Sequence, residues 1–330
     1  MSRILVTGAT GFVGGQLARR LHARGHSVRV FARPSERAEQ LRREGFDVVL
    51  GDLRDPEAVD QAVSGCELVF HIAALYRSEG VPLKTFQEVN VDGTRHVLAA
   101  CATHDEVRRI VHCSTVGVYG RINRPPAAED YPYGPLDHYQ RTKLEGELLA
   151  QQAFTGRLKG RGVIVRPAGV YGPGDTRFLK LFRAIAKRRF VFLGACTSLY
   201  HPTYIEDVLD GFELAATKPE AMGHAYIIAG ERYLPIKDYI TLIARVLDVP
   251  VPTVHVPLFP FKVAAHVCER VCRPLRIEPP IFPRRLSFFY EHRAFSIEKA
   301  RRELGFQPRV GLEEGVRKTA DWYRQQGWLQ

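Results

Sequence analysis

Tyr139 and Lys143 lie four residues apart in Asp137-His138-Tyr139-Gln140-Arg141-Thr142-Lys143, a segment that reads as the start of a helix continuing through Leu148. At that spacing both side chains leave one face of a helix. A phenol with its ordinary pKa of ~10 is a poor base near neutrality. A neighbouring ammonium favours phenolate and lowers that value. Tyr139 beside Lys143 can therefore exchange a proton with a substrate hydroxyl or carbonyl. Thr115 follows a strand expected over Arg109 to Cys113, and its hydroxyl is placed to hold the same substrate oxygen. Chance supplies many Tyr-x-x-x-Lys spacings; the weight of this one comes from the elements in front of it.

The first of these elements is Ile4-Leu5-Val6-Thr7-Gly8-Ala9-Thr10-Gly11-Phe12-Val13-Gly14-Gly15. Ile4 to Val6 read as a strand buried on both faces, and Gln16 to His22 resume with helical spacing. Strand, glycine turn and helix together point to a dinucleotide site, the rival reading being a βα turn rich in glycine for packing alone. Gly8 allows a tight turn, Gly11 lets the backbone approach a pyrophosphate, and Gly14 lets helix and strand pack closely. The N–H groups that open the helix, at Phe12 and Val13, then face the anion with the positive end of the helix dipole. A bound nicotinamide would favour the Tyr139 phenolate further and exchange hydride at its C4 while Tyr139 moves the proton.

Strands expected over His26–Phe31, Val48–Leu50, Leu68–Ile72, Arg109–Cys113 and Val163–Arg166 alternate with helical stretches. That rhythm predicts an α/β fold, a doubly wound parallel Rossmann sheet. Its ligand crevice lies at the carboxyl ends of the strands. Arg33 follows the second strand, where NAD-binding chains carry an acidic residue, and its fork can grip a 2′-phosphate. With Arg37 one turn on, this favours NADP(H); the rival reading lets Glu36 meet the ribose. Asp52 and Leu53 end the third strand, where Asp52 can meet adenine or cap a helix. Ala73 and Ala74 are small enough for a cofactor to lie close. His71 reads as a satisfied strand histidine. Asn90 is expected to open a long helix reaching about Thr103.

Residues 1–172 are thus expected to form the dinucleotide domain, with 203–229 returning to it. Residues 173–202 and 230–330 are expected to form a smaller C-terminal substrate-binding lobe. Of 330 residues 45% are hydrophobic and 25% charged, as in an ordinary soluble protein. Six scattered cysteines form no CxxC pair and predict reduced thiols without a metal. No signal-like segment precedes the first strand and no apolar run reaches transmembrane length, so a cytoplasmic location is expected. The net charge of +11 is spread along the chain, which argues against nucleic acid as a partner.

These residues are similar to the extended short-chain dehydrogenases/reductases of the NAD-dependent epimerase/dehydratase superfamily. The resemblance rests on Thr7 to Gly14, Gly51-Asp52-Leu53, His71 to Ala74, Asn90 to Thr94, Ser114-Thr115 with Val118-Tyr119-Gly120, Tyr139 with Lys143, and Arg166-Pro167 with Tyr171 to Gly174. It runs along nearly the whole chain and is loosest between Gly230 and Arg293. It implies an enzyme with Thr115, Tyr139 and Lys143 as catalytic residues, Lys143 also on the nicotinamide ribose, and Ser114, Pro167 and Val170 beside the cofactor. It also implies a homodimer formed through the helices that follow Asn90 and Tyr139.

Nucleotide-sugar enzymes of that family often carry Asn where this chain has Gly169, so the sequence is more similar to the branch of 3β-hydroxysteroid dehydrogenases and dihydroflavonol reductases. The leading expectation is hydride transfer between NAD(P) and a secondary alcohol or ketone of a bulky substrate, steroid- or flavonoid-like or a sugar. The alternatives are a nucleotide-sugar epimerase or dehydratase that retains NAD, and a non-catalytic NAD(P) sensor. Candidate substrate contacts are Thr115, Tyr76, Gly169, His201 and Arg293. Leu258, Phe259, Phe261, Val263, Ile281, Phe282, Phe288 and Phe289 either wall an apolar pocket or form the core of the small lobe. Arg284 and Arg285, with Arg293, are candidates to hold a diphosphate.

Overall fold

In the computed structural model, which describes residues 2–76, 80–272 and 286–329, the six expected strands β1 (Arg3–Thr7), β2 (Ser27–Ala32), β3 (Asp47–Leu50), β4 (Leu68–His71), β5 (Arg109–Cys113) and β6 (Gly162–Pro167) join one parallel sheet. Ala225–Ile228 completes it beside β6, and the order from that edge is Ala225–Ile228, β6, β5, β4, β1, β2, β3. The pleat explains the β-branched runs. Ile4 and Val6 of β1 enter one buried cluster and Leu5 the other, so alternate residues serve opposite faces. Both faces are covered by helices, as a parallel sheet requires. The chain leaves β1 in one direction along the sheet and returns at β4 in the other, which opens a crevice at the strands' carboxyl ends.

The segment around Asn90 departs from expectation. The helical turns begin at Leu83–Gln87, widen over Glu88–Asp92 into a π turn, and continue as Gly93–Thr103. Asn90 therefore sits inside the helix and does not open it. The wide turn aims its amide inward, where it donates to Leu75 O (3.1 Å) and Thr142 Oγ1 (3.0 Å) and accepts from Leu75 N–H (2.7 Å). Periodicity alone does not distinguish this turn from a helix start, and such bulges often mark functional regions.

Asp52 is not a helix cap either. Asp55 caps the helix Pro56–Val63, accepting from the N–H groups of Glu57 and Ala58. In the C-terminal part, Phe259 is 75% exposed on the helix Leu258–Cys272 and Val263 is 48% exposed, so neither walls a pocket nor fills a core. Phe288 and Phe289 pack against the main core. Ile281, Phe282, Arg284 and Arg285 lie outside the described residues. Among the described residues, no helix is long and apolar enough to cross a membrane.

The helix His138–Thr155 is fixed to the sheet by a buried ion pair. Arg166 of β6 donates through Nε to Glu147 Oε2 (3.1 Å), while its Nη groups reach Tyr133 Oη (2.8 Å) and Glu129 O (2.9 Å). Arg166 is 2% exposed and Glu147 is fully buried. Removing either partner would leave the other charge buried and unpaired, a cost of about 3–5 kcal/mol. This pair sets the azimuth of the helix that carries Tyr139 and Lys143.

Candidate active site

A cleft of about 740 Å³ runs along the carboxyl ends of the strands. The glycine loop forms its floor. Gly8 has φ +78°, and a Cβ there would lie 2.7 Å from Ala73 N; a Cβ on Gly14 would lie 2.4 Å from Gly8 O. Both close approaches exclude any side chain. Helix α1 (Phe12–Ala23) starts after Gly11, and no side chain caps it. Its first N–H groups therefore point at the cleft without an intrahelical partner, where a pyrophosphate satisfies them. A dinucleotide fits this floor.

Behind the floor, a chain of hydrogen bonds locks β1 to β4. Ala73 N–H donates to Thr7 Oγ1 (3.2 Å), and Thr7 Oγ1 is 2.9 Å from His71 Nδ1. His71 Nε2 is 3.0 Å from Thr94 Oγ1, which donates to Asn90 O (2.7 Å). These directions require the neutral ring with its proton on Nε2. Burial, aided by the charge of Lys143, holds the His71 pKa down to about 3. It is a satisfied strand histidine, as expected.

The two ends of the cleft differ in chemistry. At one end lie Phe31, Arg33, Arg37, Asp52 and Leu53. Arg33 is exposed on the rim, and Arg37 donates to Thr10 O (3.1 Å). Asp52 is paired with Arg54 (2.9 Å), whose hydrogen bond keeps its carboxyl below the usual range.

Toward the other end, Ser114, Thr115 and Tyr139 share the wall with Ala73, Ala74, Pro167, Gly169 and Val170. Thr115 caps the short turn Val116–Tyr119, accepting from Gly117 N–H (3.1 Å), which leaves its own proton to donate. Asp137 caps the helix His138–Thr155 by accepting from Gln140 N–H (2.7 Å), fixing the turn that presents Tyr139. The Tyr139 ring meets Tyr76 edge to face, centroids 5.0 Å apart.

Lys143 is not part of the cleft wall. It is 2% exposed, and its Nζ donates to Cys113 O (2.6 Å) at the end of β5, one residue before Ser114. Burial lowers its pKa.

The far wall holds Tyr76, Arg177, Phe178, Tyr200, His201, Phe288, Arg293 and Phe295. Both ring nitrogens of His201 are engaged with backbone, Nε2 with Gly230 O (2.9 Å) and Nδ1 with Phe295 N–H (3.4 Å), and burial holds its pKa down to about 4. Its ring therefore offers the cleft an edge, not a donor. Arg177 and Tyr200 were not among the residues picked from the sequence. The signals that point to them are the Asp175-x-Arg177 spacing after Gly174 and the missing side chain at Gly169.

A parallel sheet with this strand order and a glycine floor defines a dinucleotide-binding α/β protein. The comparisons then define which. The model of the NAD dependent epimerase/dehydratase family matches residues 4–229. The chain is 32% identical to the 4-hydroxy-2-methyl-3-oxo-4-farnesyl-3,4-dihydroquinoline-1-oxide ketoreductase of Stigmatella aurantiaca, over 95% of this chain and 94% of that one. It is also 32% identical to the 2-alkyl-3-oxoalkanoate reductase of Stenotrophomonas maltophilia (strain K279a), over 96% and 98%. Among solved structures it is similar to gox2253, with TM-score 0.83, 28% identity and 100% of both chains covered. A UDP-glucuronic acid 4-epimerase from Bacillus cereus in complex with NAD shares the fold, with TM-score 0.77, 23% identity, and 98% and 99% covered. The chain belongs to the NAD dependent epimerase/dehydratase family, and it is an NAD(P)-dependent oxidoreductase.

Proposed function

We propose that the protein interconverts a ketone and a secondary alcohol on a bulky, largely apolar substrate, with Thr115, Tyr139 and Lys143 as catalytic residues. The observation that carries this reading is the convergence of Tyr139 and Thr115 on the cleft floored by the glycine loop, with the Lys143 ammonium anchored behind them at Cys113 O. The coenzyme, when bound, supplies or accepts hydride at C4 of its nicotinamide. Tyr139 holds the proton exchanged with the substrate oxygen. Thr115 donates to that oxygen and orients it. Lys143 stabilises the phenolate across one turn of helix. Pro167 and Val170 border the nicotinamide, and Tyr76 with the cleft-lining residues from 177–201 and 288–295 supplies the substrate wall. The names of the two relatives, both reductases of oxo groups, support the ketone direction.

NADPH is the preferred coenzyme in this reading, on the support of exposed Arg33 at the adenosine end of the cleft. A homodimer through the helices Gly93–Thr103 and His138–Thr155 is supported by Leu148, 45% exposed on the second of them. Light scattering at twice the chain mass is the expected result.

The test of function is oxidation of NADPH with a panel of 3-oxoalkanoates and polycyclic ketones. Turnover is expected in the parent and a loss of at least about a hundredfold in Tyr139→Phe, the scale of general acid catalysis. Full turnover in that variant removes the assignment. Tightly held NAD with no net oxidation of added coenzyme would point to an epimerase.

A further inference from the structure

We infer that the substrate is an acid, and that its carboxylate is held at the far wall of the cleft by Tyr200 with the guanidinium groups of Arg177 and Arg293. This rests on the reading above and names the substrate class of the same site. The first observation is an unsatisfied group. Tyr200 is 5% exposed, it lines the cleft, and its hydroxyl has no hydrogen-bond partner among the described residues. A buried hydroxyl without a partner is destabilising, and at a ligand cleft a ligand acceptor can satisfy it.

The second observation is that the chain is shaped to admit that hydroxyl. A Cβ on Gly169 would lie 2.5 Å from Tyr200 Oη. The phenol thus comes up against backbone that any side chain at position 169 would cover. The ring is clamped by Phe178, Phe288 and Tyr239, with centroids 6.3, 5.3 and 5.3 Å away, so the hydroxyl has a fixed position.

The third is the charge around it. Arg177 and Arg293 line the same cleft as Tyr200; burial raises the Tyr200 pKa, the two guanidinium groups oppose that rise, and Asp175 and Tyr76 add to it. Each guanidinium is oriented from behind. Arg177 donates to Asp175, 2% exposed, through Nε (2.7 Å) and Nη2 (3.0 Å), and to Val170 O (2.9 Å). Arg293 donates from Nη2 to Ser287 Oγ (2.7 Å), and Glu291 lies 3.9 Å from the same nitrogen. With a carboxylate near each arginine, the pull on an anion comes from directed N–H and O–H donors more than from net charge. The Tyr76 ring links this corner to the proton-transfer residue: it meets Tyr139 edge to face and lies 5.7 Å from the Arg177 guanidinium. The fitting class is an oxo or hydroxy acid whose carboxylate is close to the reacting carbon.

The test uses the full chain loaded with NADP⁺ and titrates three probes by calorimetry: dodecanoate, methyl dodecanoate and dodecanol, none of which can be reduced at a ketone. The parent is expected to bind the acid at least tenfold more tightly than either neutral probe. Tyr200→Phe, which keeps the aromatic packing, is expected to remove most of that preference and to leave dodecanol unchanged. Arg293→Gln gives a second variant with the same expectation, and both are checked for native near-UV dichroism. Absence of acid binding, or equal binding of acid and alcohol in the parent, overturns the inference. So does a Tyr200→Phe variant that weakens all three probes alike. The reductase reading is tested separately by NADPH oxidation in Tyr139→Phe: ketone turnover without acid preference sinks the acid subsite alone, whereas acid preference without any NADPH oxidation sinks the reductase.

Discussion

At the scale of single residues, the site separates a wall from a support. Tyr139 and Thr115 face the cleft, whereas Lys143 is buried behind it on Cys113 O. A lysine with its charge in a dry place is costly, and here the bond to Cys113 O and the charge of Glu147 offset part of that cost. Arg33 is the opposite case, an exposed cation on the rim. In the proposed NADP(H) reading it would make a forked contact to the 2′-phosphate, expected to be worth about a decade in affinity at an exposed site. Calorimetry is expected to show NADPH bound more tightly than NADH, with Arg33→Ala closing most of the gap; equal affinities in the parent would retire NADP(H) as the preferred coenzyme.

At the scale of elements, the glycine loop works through contact distances. The Cβ position at Gly14 is 2.4 Å from Gly8 O, a backbone atom that cannot rotate away. Gly14→Ala must push α1 off β1 and carry the first-turn N–H groups with it. Coenzyme affinity is expected to fall by at least about tenfold with the fold retained, since misplaced donors no longer meet the pyrophosphate. Fluorescence of bound NADPH reads this directly, and unchanged affinity would show that the loop does not touch the coenzyme. The π turn at Glu88–Asp92 is a second device of this kind. It points Asn90 at Leu75 and Thr142, tying the segment before Tyr76 to the helix that carries Tyr139.

For the whole molecule, the pH dependence of stability follows from groups buried in one protonation state. His71 is held down to about 3 and His201 to about 4, and burial keeps His112 well below its ordinary value. Unfolded, each binds a proton near pH 6.5, so between about 4 and 6.5 the unfolded chain binds protons the folded chain does not. Stability therefore rises with pH through that window, by up to about 1.4 kcal/mol per unit for each histidine. Asp207 acts oppositely: burial raises it to about 6, and the folded chain keeps a proton that the unfolded chain loses above its ordinary value. Glu129 and Glu213, also raised by burial, act with it, and the histidines carry the net slope because they are displaced furthest. Thermal unfolding is expected to shift upward from pH 4.5 to 6.5 and level off near pH 7, with a shallower slope in His112→Leu; a flat profile would contradict the buried neutral rings.

Local patterns in the sequence determined the sheet, the glycine floor and the Tyr139–Lys143 face, because each depends on spacing within one strand, turn or helix. The His71 environment was legible for the same reason, as an interior strand position. The Asn90 turn was not, since a π bulge and a helix start share one periodicity. Nor were the positions of Arg177 and Tyr200 on the cleft wall, which depend on pairing Gly169–Tyr171 with Pro202–Tyr204 and on Phe288 and Arg293, far off in the chain. Which hydroxyl is left unsatisfied, and which charge faces it, is fixed by long-range packing, where the chain brings together residues that no local rule relates.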